Sequence, residues 1–186
     1  MAVPQVLRET EEKMKRAVDA VAREFATVRT GRASSALVEG ISIDYFGTST
    51  PLKHMASIAT PEPRLIVIQP WDVSVLQAIE KGIQKSELGL SPVIDGKVIR
   101  ITVPPLTAER RVELDRLVRK MAEDGRISVR TVRRDANEHA KQLQKEGKAS
   151  EDEAFRAQDE IQKLTDRYTQ RIDQSLKEKE KELTEI

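Results

Sequence analysis

The chain has 186 residues, 32 basic and 31 acidic side chains, a net charge of +1, six aromatic residues and no cysteine. Disulfide scaffolds, thiolate metal sites and cysteine nucleophiles are therefore excluded. So few rings argue against a base-stacking surface for single strands. No apolar run reaches the ~18 residues of a membrane span, and residues 1–16 are charged where a signal peptide would be apolar, so the sequence reads as cytoplasmic.

From Pro4 to Arg29 the apolar positions Leu7, Met14, Val18, Val21, Phe25 and Val28 are spaced 7, 4, 3, 4 and 3 apart. This heptad seam predicts a helix that packs on other helices and stops at Thr30-Gly31. The texture then changes, and six of the eight prolines fall between residues 31 and 104. Ile41, Ile43 and Tyr45 alternate with Ser42 and Asp44, predicting a half-buried strand. Arg64–Gln69 is a short apolar run that predicts a buried strand. Asp72 is placed to cap a helix whose inner face is Val75, Leu76, Ile79 and Ile83. Asp95-Gly96 between β-rich arms predicts a hairpin running into Ile99, Ile101 and Val103. These elements make a small α+β domain with its own core.

Pro104-Pro105 closes that domain, because neither residue can donate to a sheet or continue a helix. Thr107 caps a second helix with a seam of Val118, Met121, Gly125, Val129, Val132, Ala136, Ala140 and Leu143. The region of Gly147 ends it. Ser150-Glu151-Asp152-Glu153 matches a capping box for a third helix, whose seam is Ile161, Leu164, Tyr168, Ile172, Leu176 and Leu183. Three amphipathic helices cannot each bury a stripe alone, which predicts one long bundle with the small domain inserted into it. The fold class is α+β, mainly α. The bundle takes residues 1–30 and 105–186, and the insert takes residues 31–104. Hinges are expected at Thr30, Gly31 and Arg32 and at Pro104 and Pro105, extending to residue 106.

Charge is distributed unevenly. Residues 105–145 hold 11 basic and 7 acidic side chains, and residues 146–186 hold 8 and 12. Eight of those eleven bases are arginine: Arg110, Arg111, Arg116, Arg119, Arg126, Arg130, Arg133 and Arg134. At about 100° per residue, Arg116 to Arg134 fall in one arc beside the apolar seam. A guanidinium presents a planar fork to phosphate oxygens, so an aligned row suits a nucleic-acid backbone. Pairing with the acidic third helix is the competing role for any one arginine. The run Arg130-Thr131-Val132-Arg133-Arg134 fits pairing less well. Charge without base contacts gives affinity rather than sequence choice, which favours structured RNA over a DNA sequence. His54 and His139 lie in different domains, and no phosphate loop, nucleophile elbow or HExxH is present. The expectation is a non-catalytic protein without cofactor or metal.

Several motifs together resemble bacterial ribosome recycling factor: Arg29-Thr-Gly-Arg-Ala-Ser34, Tyr45-Phe-Gly-Thr48, Pro51-Leu52, Leu88-Gly-Leu90, Pro104-Pro-Leu-Thr107 with Glu109-Arg110-Arg111, Val129–Asn137 and Ser150-Glu-Asp152. The resemblance runs over essentially the whole chain. It implies an L-shaped, tRNA-like outline and a β/α/β inserted domain on a flexible hinge. It implies binding to the ribosome after termination and, with elongation factor G and GTP, dissociation into subunits and release from mRNA. It also implies contact of Arg130, Arg133 and Arg134 with large-subunit ribosomal RNA. Arg110, Arg119 and Arg126 extend that candidate RNA surface, and Arg32 is either a hinge residue or an RNA contact. The expected molecule is a monomer without membrane or DNA partners. The rivals are a helical scaffold for protein partners and an RNA- or ribosome-binding helical factor acting without a GTPase.

Overall fold

The computed structural model describes residues 2–185. Two compact units emerge. One comprises Met1–Phe25 with Leu114–Lys181, and the other Ala26–Glu113 with Glu182–Ile186. The joins expected at residues 30–32 and 104–106 thus fall inside the second unit, which also takes the ends of the long helices.

The first unit is built from α1 (Ala2–Thr27), α4 (Ala108–Lys145) and α5 (Glu151–Thr184). At 1.5 Å per residue the 38 residues of α4 extend about 57 Å. Contacts between α4 and α5 pair Arg126 with Asp173 and Arg119 with Glu180, so the two run antiparallel. Gly147, at φ +70°, ends α4. The amides of Lys148 and Ala149 then donate to the carbonyl of Leu143, satisfying the end of the helix. The capping box forms reciprocally: Ser150 N donates to Glu153 Oε2 at 2.8 Å, and Glu153 N donates to Ser150 Oγ at 3.2 Å. Thr107 Oγ1 accepts from Arg110 N at 3.2 Å, as a cap of α4 should.

The seams are shifted from the expected ones in places. In α1 the buried positions are Val6, Thr10, Met14, Val21 and Phe25. Leu7 and Val18 are half-buried instead. Thr10 is tolerated inside because its hydroxyl donates to the carbonyl of Val6 at 2.6 Å. In α4, Leu114 and Ala122 are buried where Met121 and Val132 were expected, and in α5 Leu176 is only half-buried. Gly125 marks where all three helices meet. A Cβ there would lie 2.3 Å from Val21 Cγ2 and 3.3 Å from Ile172 Cδ1.

The second unit carries α2 (Ala36–Glu39), a hairpin of β1 (Ser42–Tyr45) and β2 (Thr48–Pro51), and a four-stranded sheet. That sheet has the order β3-β4-β6-β5, from β3 (Ala56–Glu62), β4 (Leu65–Pro70), β5 (Pro92–Asp95) and β6 (Val98–Thr102). Every pairing is antiparallel. The helix α3 (Leu76–Lys85) packs Leu76, Ile79 and Ile83 into a core with Ile43, Ile66, Ile68, Ile99 and Ile101. Asp72 caps as expected, with Oδ1 accepting from Ser74 N at 2.9 Å, and a 3-10 turn at Val73–Val75 precedes α3.

Four details depart from the sequence reading. The β1–β2 turn and the edge strand β3 were not foreseen. The strand expected over Ile41–Tyr45 buries only Ile43. The β5–β6 turn is Gly96-Lys97 rather than Asp95-Gly96. Gly96 has φ +63° and Lys97 does not share that sign, an arrangement of the II′ kind. Asp95 closes its strand and pairs with Arg100 at 2.8 Å.

Candidate nucleic-acid interface

The arginines of α4 are not equivalent once their partners are known. Arg126 has its Nε and Nη2 on Asp173 Oδ1 at 2.8 and 2.7 Å and its Nη1 on Glu123 at 3.0 Å. Burial works to lower its pKa, but the hydrogen bonds to Asp173 and Glu123 outweigh it and raise it. Arg130 also donates to Glu123, and its Nε reaches the carbonyl of Arg126 at 3.4 Å. Hydrogen bonds from Arg126 and then Arg130 hold the Glu123 carboxyl below the ordinary glutamate value. Arg119 is shared between Asp115 and Glu180, each at 2.9 Å. Pairing with α5 therefore claims Arg119 and Arg126, the competing role the charge distribution had suggested.

Arg133 and Arg134 stand apart. Arg133 Nη1 donates to the neutral Gln162 Oε1 at a long 3.4 Å. Arg134 approaches Asp135 only at 3.9 Å and leaves 69% of its side chain exposed. Arg116 is exposed and makes no ion pair among the described residues. Arg130, Arg133 and Arg134 line an open groove of about 500 Å³ whose wall also includes Asn137, Lys141 and Gln162. Four cations face it, opposed among its lining residues by the single carboxylate of Glu138. Spacing explains the cluster: Arg130, Arg133 or Arg134, Asn137 and Lys141 are three or four residues apart, one turn each. Sequence reasoning named the arginines but passed over Lys141, Asn137 and Gln162. The same 3.6-residue step reaches the first two. Gln162 comes from α5 and could be found only through the helix pairing.

Arg110 lies elsewhere, in the sheet-bearing unit, where its Nη1 pairs with Glu113 at 2.8 Å. It stands near Arg29. Burial first, and the charge of Arg110 second, lower the pKa of the Arg29 guanidinium. Arg29 ties three motifs together within this unit, donating to the carbonyls of Leu88 at 3.3 Å and Pro104 at 3.4 Å. Thr30, Gly31, Arg32, Pro105, Leu106 and Arg111 line a second cavity of about 510 Å³. Gly31 has φ +79°, a conformation other residues adopt only with strain. Arg32 is exposed and reaches Glu185 at 3.8 Å. Among the described residues no helix is long and apolar enough to cross a membrane, and no group of three His, Cys, Asp or Glu side chains could hold a metal ion.

Comparison with known proteins gives a consistent answer. The family model described as ribosome recycling factor matches residues 21–184. A ribosome-recycling factor of Nitratidesulfovibrio vulgaris is 51% identical over the whole of both chains. One from Heliobacterium modesticaldum is 52% identical over 99% of this chain and all of its own. A solution structure of the ribosome recycling factor superposes with a TM-score of 0.79 at 45% identity, covering 100% of this chain and 99% of the other. A second structure, at TM-score 0.71 and 42% identity over all of both chains, belongs to models of the T. thermophilus ribosome recycling factor and E. coli elongation factor G bound to the E. coli post-termination complex. A chain matched by the family model over most of its length, and half-identical to relatives from end to end, belongs to the ribosome recycling factor family.

Proposed function

We propose that this chain recycles ribosomes. It binds the post-termination ribosome through large-subunit ribosomal RNA and, with elongation factor G and GTP, promotes dissociation into subunits and release from mRNA. The observation that carries the RNA contact is the groove on α4, where Arg133 and Lys141 form no ion pair among the described residues and Arg134 only approaches Asp135 at 3.9 Å. Guanidinium and ammonium groups left in water are available to phosphates, whereas those already paired must first give up a partner. Membership of the family supports the rest, together with the relative placed beside elongation factor G on a post-termination complex.

The chain itself catalyses nothing and needs no cofactor or metal. GTP hydrolysis belongs to the partner, and the place of work is the cytoplasm, as a monomer. Thr30–Arg32 and Pro104–Pro105, both within the second compact unit, are proposed as the joints, with Gly31 at positive φ supporting a backbone turn there. The test is polysome breakdown with and without elongation factor G and GTP. The intact chain should convert polysomes to subunits only when both are present, and a variant combining Arg133→Gln, Arg134→Gln and Lys141→Gln should lose that activity while remaining folded. Breakdown without the GTPase would favour the RNA-binding alternative. Full activity of the triple variant would remove the groove from the mechanism.

A further inference from the structure

The groove contains a feature that charge does not explain. Asn137 Oδ1 is buried and has no hydrogen-bond partner. It lies among Arg133, Arg134 and Lys141, with the amide of Gln162 across from it on α5. A buried carbonyl oxygen without a donor is a cost to the free protein, since such groups are almost always satisfied. Asn137 is only half-buried, beside the fully buried seam positions Ala136 and Ala140.

We propose that Asn137 receives a hydrogen bond from the edge of an RNA base when the protein is bound, so that this groove reads a nucleobase as well as a backbone. This rests on the RNA-binding reading given above and names which part of the RNA the site selects. The chemistry follows from what each part of RNA offers. A phosphate has only acceptors, so it serves Arg133, Arg134 and Lys141 but cannot satisfy an orphan oxygen. A base edge carries N–H donors beside acceptors, the pattern that amide side chains match. Two amides, Asn137 and Gln162, in one basic groove of about 500 Å³ suit a base displayed between held phosphates. Arg133, one turn before Asn137, is held only by its 3.4 Å contact to Gln162. When Arg133 transfers to a phosphate, it releases the Gln162 amide on the same groove wall.

Base and phosphate contacts separate in a salt titration. Binding of the full chain to isolated large ribosomal subunits is measured across salt concentrations for the wild type, Asn137→Leu and Arg133→Gln, alongside thermal unfolding of each. Arg133→Gln should flatten the slope of log affinity against log salt by about 0.7–0.9, the share of one phosphate. Asn137→Leu should weaken binding by roughly tenfold at every salt concentration with the slope unchanged, as for one base-edge contact. It should also keep or raise the melting temperature, because an unsatisfied polar atom has been replaced by an apolar side chain of similar size. A merely structural asparagine would show the reverse, unchanged binding with a lower melting temperature, and that overturns the proposal. A loss of slope in Asn137→Leu also overturns it, since the contact would then be to phosphate. Probing the subunit RNA adds a further arm. Protection of a base edge in the wild type that is lost in Asn137→Leu supports the proposal, and a change confined to 2′-hydroxyl reactivity refutes it. If Arg133→Gln alters neither affinity nor slope, the RNA-binding reading itself fails, a different outcome from the failure of Asn137 alone.

Discussion

Replacing Gly125 with alanine should destabilise the bundle, although helix propensity argues for the opposite. In an exposed helix interior the change would gain about 1 kcal/mol by restricting the unfolded chain. Here the new Cβ would arrive 2.3 Å from Val21 Cγ2 and 3.3 Å from Ile172 Cδ1. Carbon atoms settle at about 3.5–4.0 Å, so one neighbour must retreat by more than about 1 Å. Val21 and Ile172 are both buried, 4% and 0% exposed, and β-branched side chains in a helix have essentially one χ1 rotamer. The retreat therefore falls on the helix backbone and disturbs the neighbouring contacts of Met14 and Phe25. Overpacking of this kind costs about 1–3 kcal/mol, and a contact so short belongs at the upper end. Subtracting the propensity gain leaves about 2 kcal/mol of net loss. At a urea dependence of about 2 kcal/mol per molar, the unfolding midpoint should drop by about 1 M. Combining Gly125→Ala with Val21→Ala should recover part of the loss, because the second change removes the obstructing methyl. A Gly125→Ala protein that unfolds at higher urea than the wild type would refute this account of the three-helix contact.

Glu123→Gln removes the carboxylate that Arg126 and Arg130 share, so affinity for large ribosomal subunits at low salt should rise by about two- to threefold with a steeper salt dependence, read in the same titration. An unchanged affinity would mean that Arg130 takes no part in binding. Acid should weaken the fold through three carboxylates held below the ordinary glutamate value of 4.5: Glu123 by Arg126 and Arg130, Glu146 by Lys148 and Gln142, and Glu153 by its hydrogen bonds with Ser150. The unfolded chain takes up these protons first as pH falls. Their stabilisation is therefore complete above the ordinary glutamate range and is lost as pH drops through the lowered folded values, which urea midpoints from pH 7 to pH 3 should follow. A Glu123→Gln/Glu146→Gln/Glu153→Gln protein should show a shallower decline over that range.

How legible these features were depended on how local their causes are. The capping box at Ser150, the cap at Asp72 and the end of α4 at Gly147 depend on a few adjacent residues, and each formed as the sequence indicated. The strand β3 was missed because Ala-Ser-Ile-Ala-Thr-Pro-Glu has weak β character. It is stable as an edge because a register shift between Ala59 and Glu62 accommodates Pro61. The β1–β2 turn was missed because it requires Phe46 at φ +48°, a conformation no one infers for phenylalanine. There Gly47 carries φ +83°, and its amide donates to Asp44 Oδ1 at 2.9 Å. Period alone could not choose between Leu7 and Val6, since adjacent residues differ by only 100° and the choice belongs to the partner helices. The same holds for the candidate site. The arginine arc was visible in the sequence, but which guanidinium groups are already occupied depends on carboxylates of α5 nearly fifty residues away, such as Asp173 for Arg126.

That internal pairing has a kinetic meaning. A chain whose stripe is half neutralised by its own carboxylates, and whose net charge is +1, exerts little long-range pull on nucleic acid in general. Residence on any RNA then depends on the few groups that fit, so a misplaced encounter dissociates quickly.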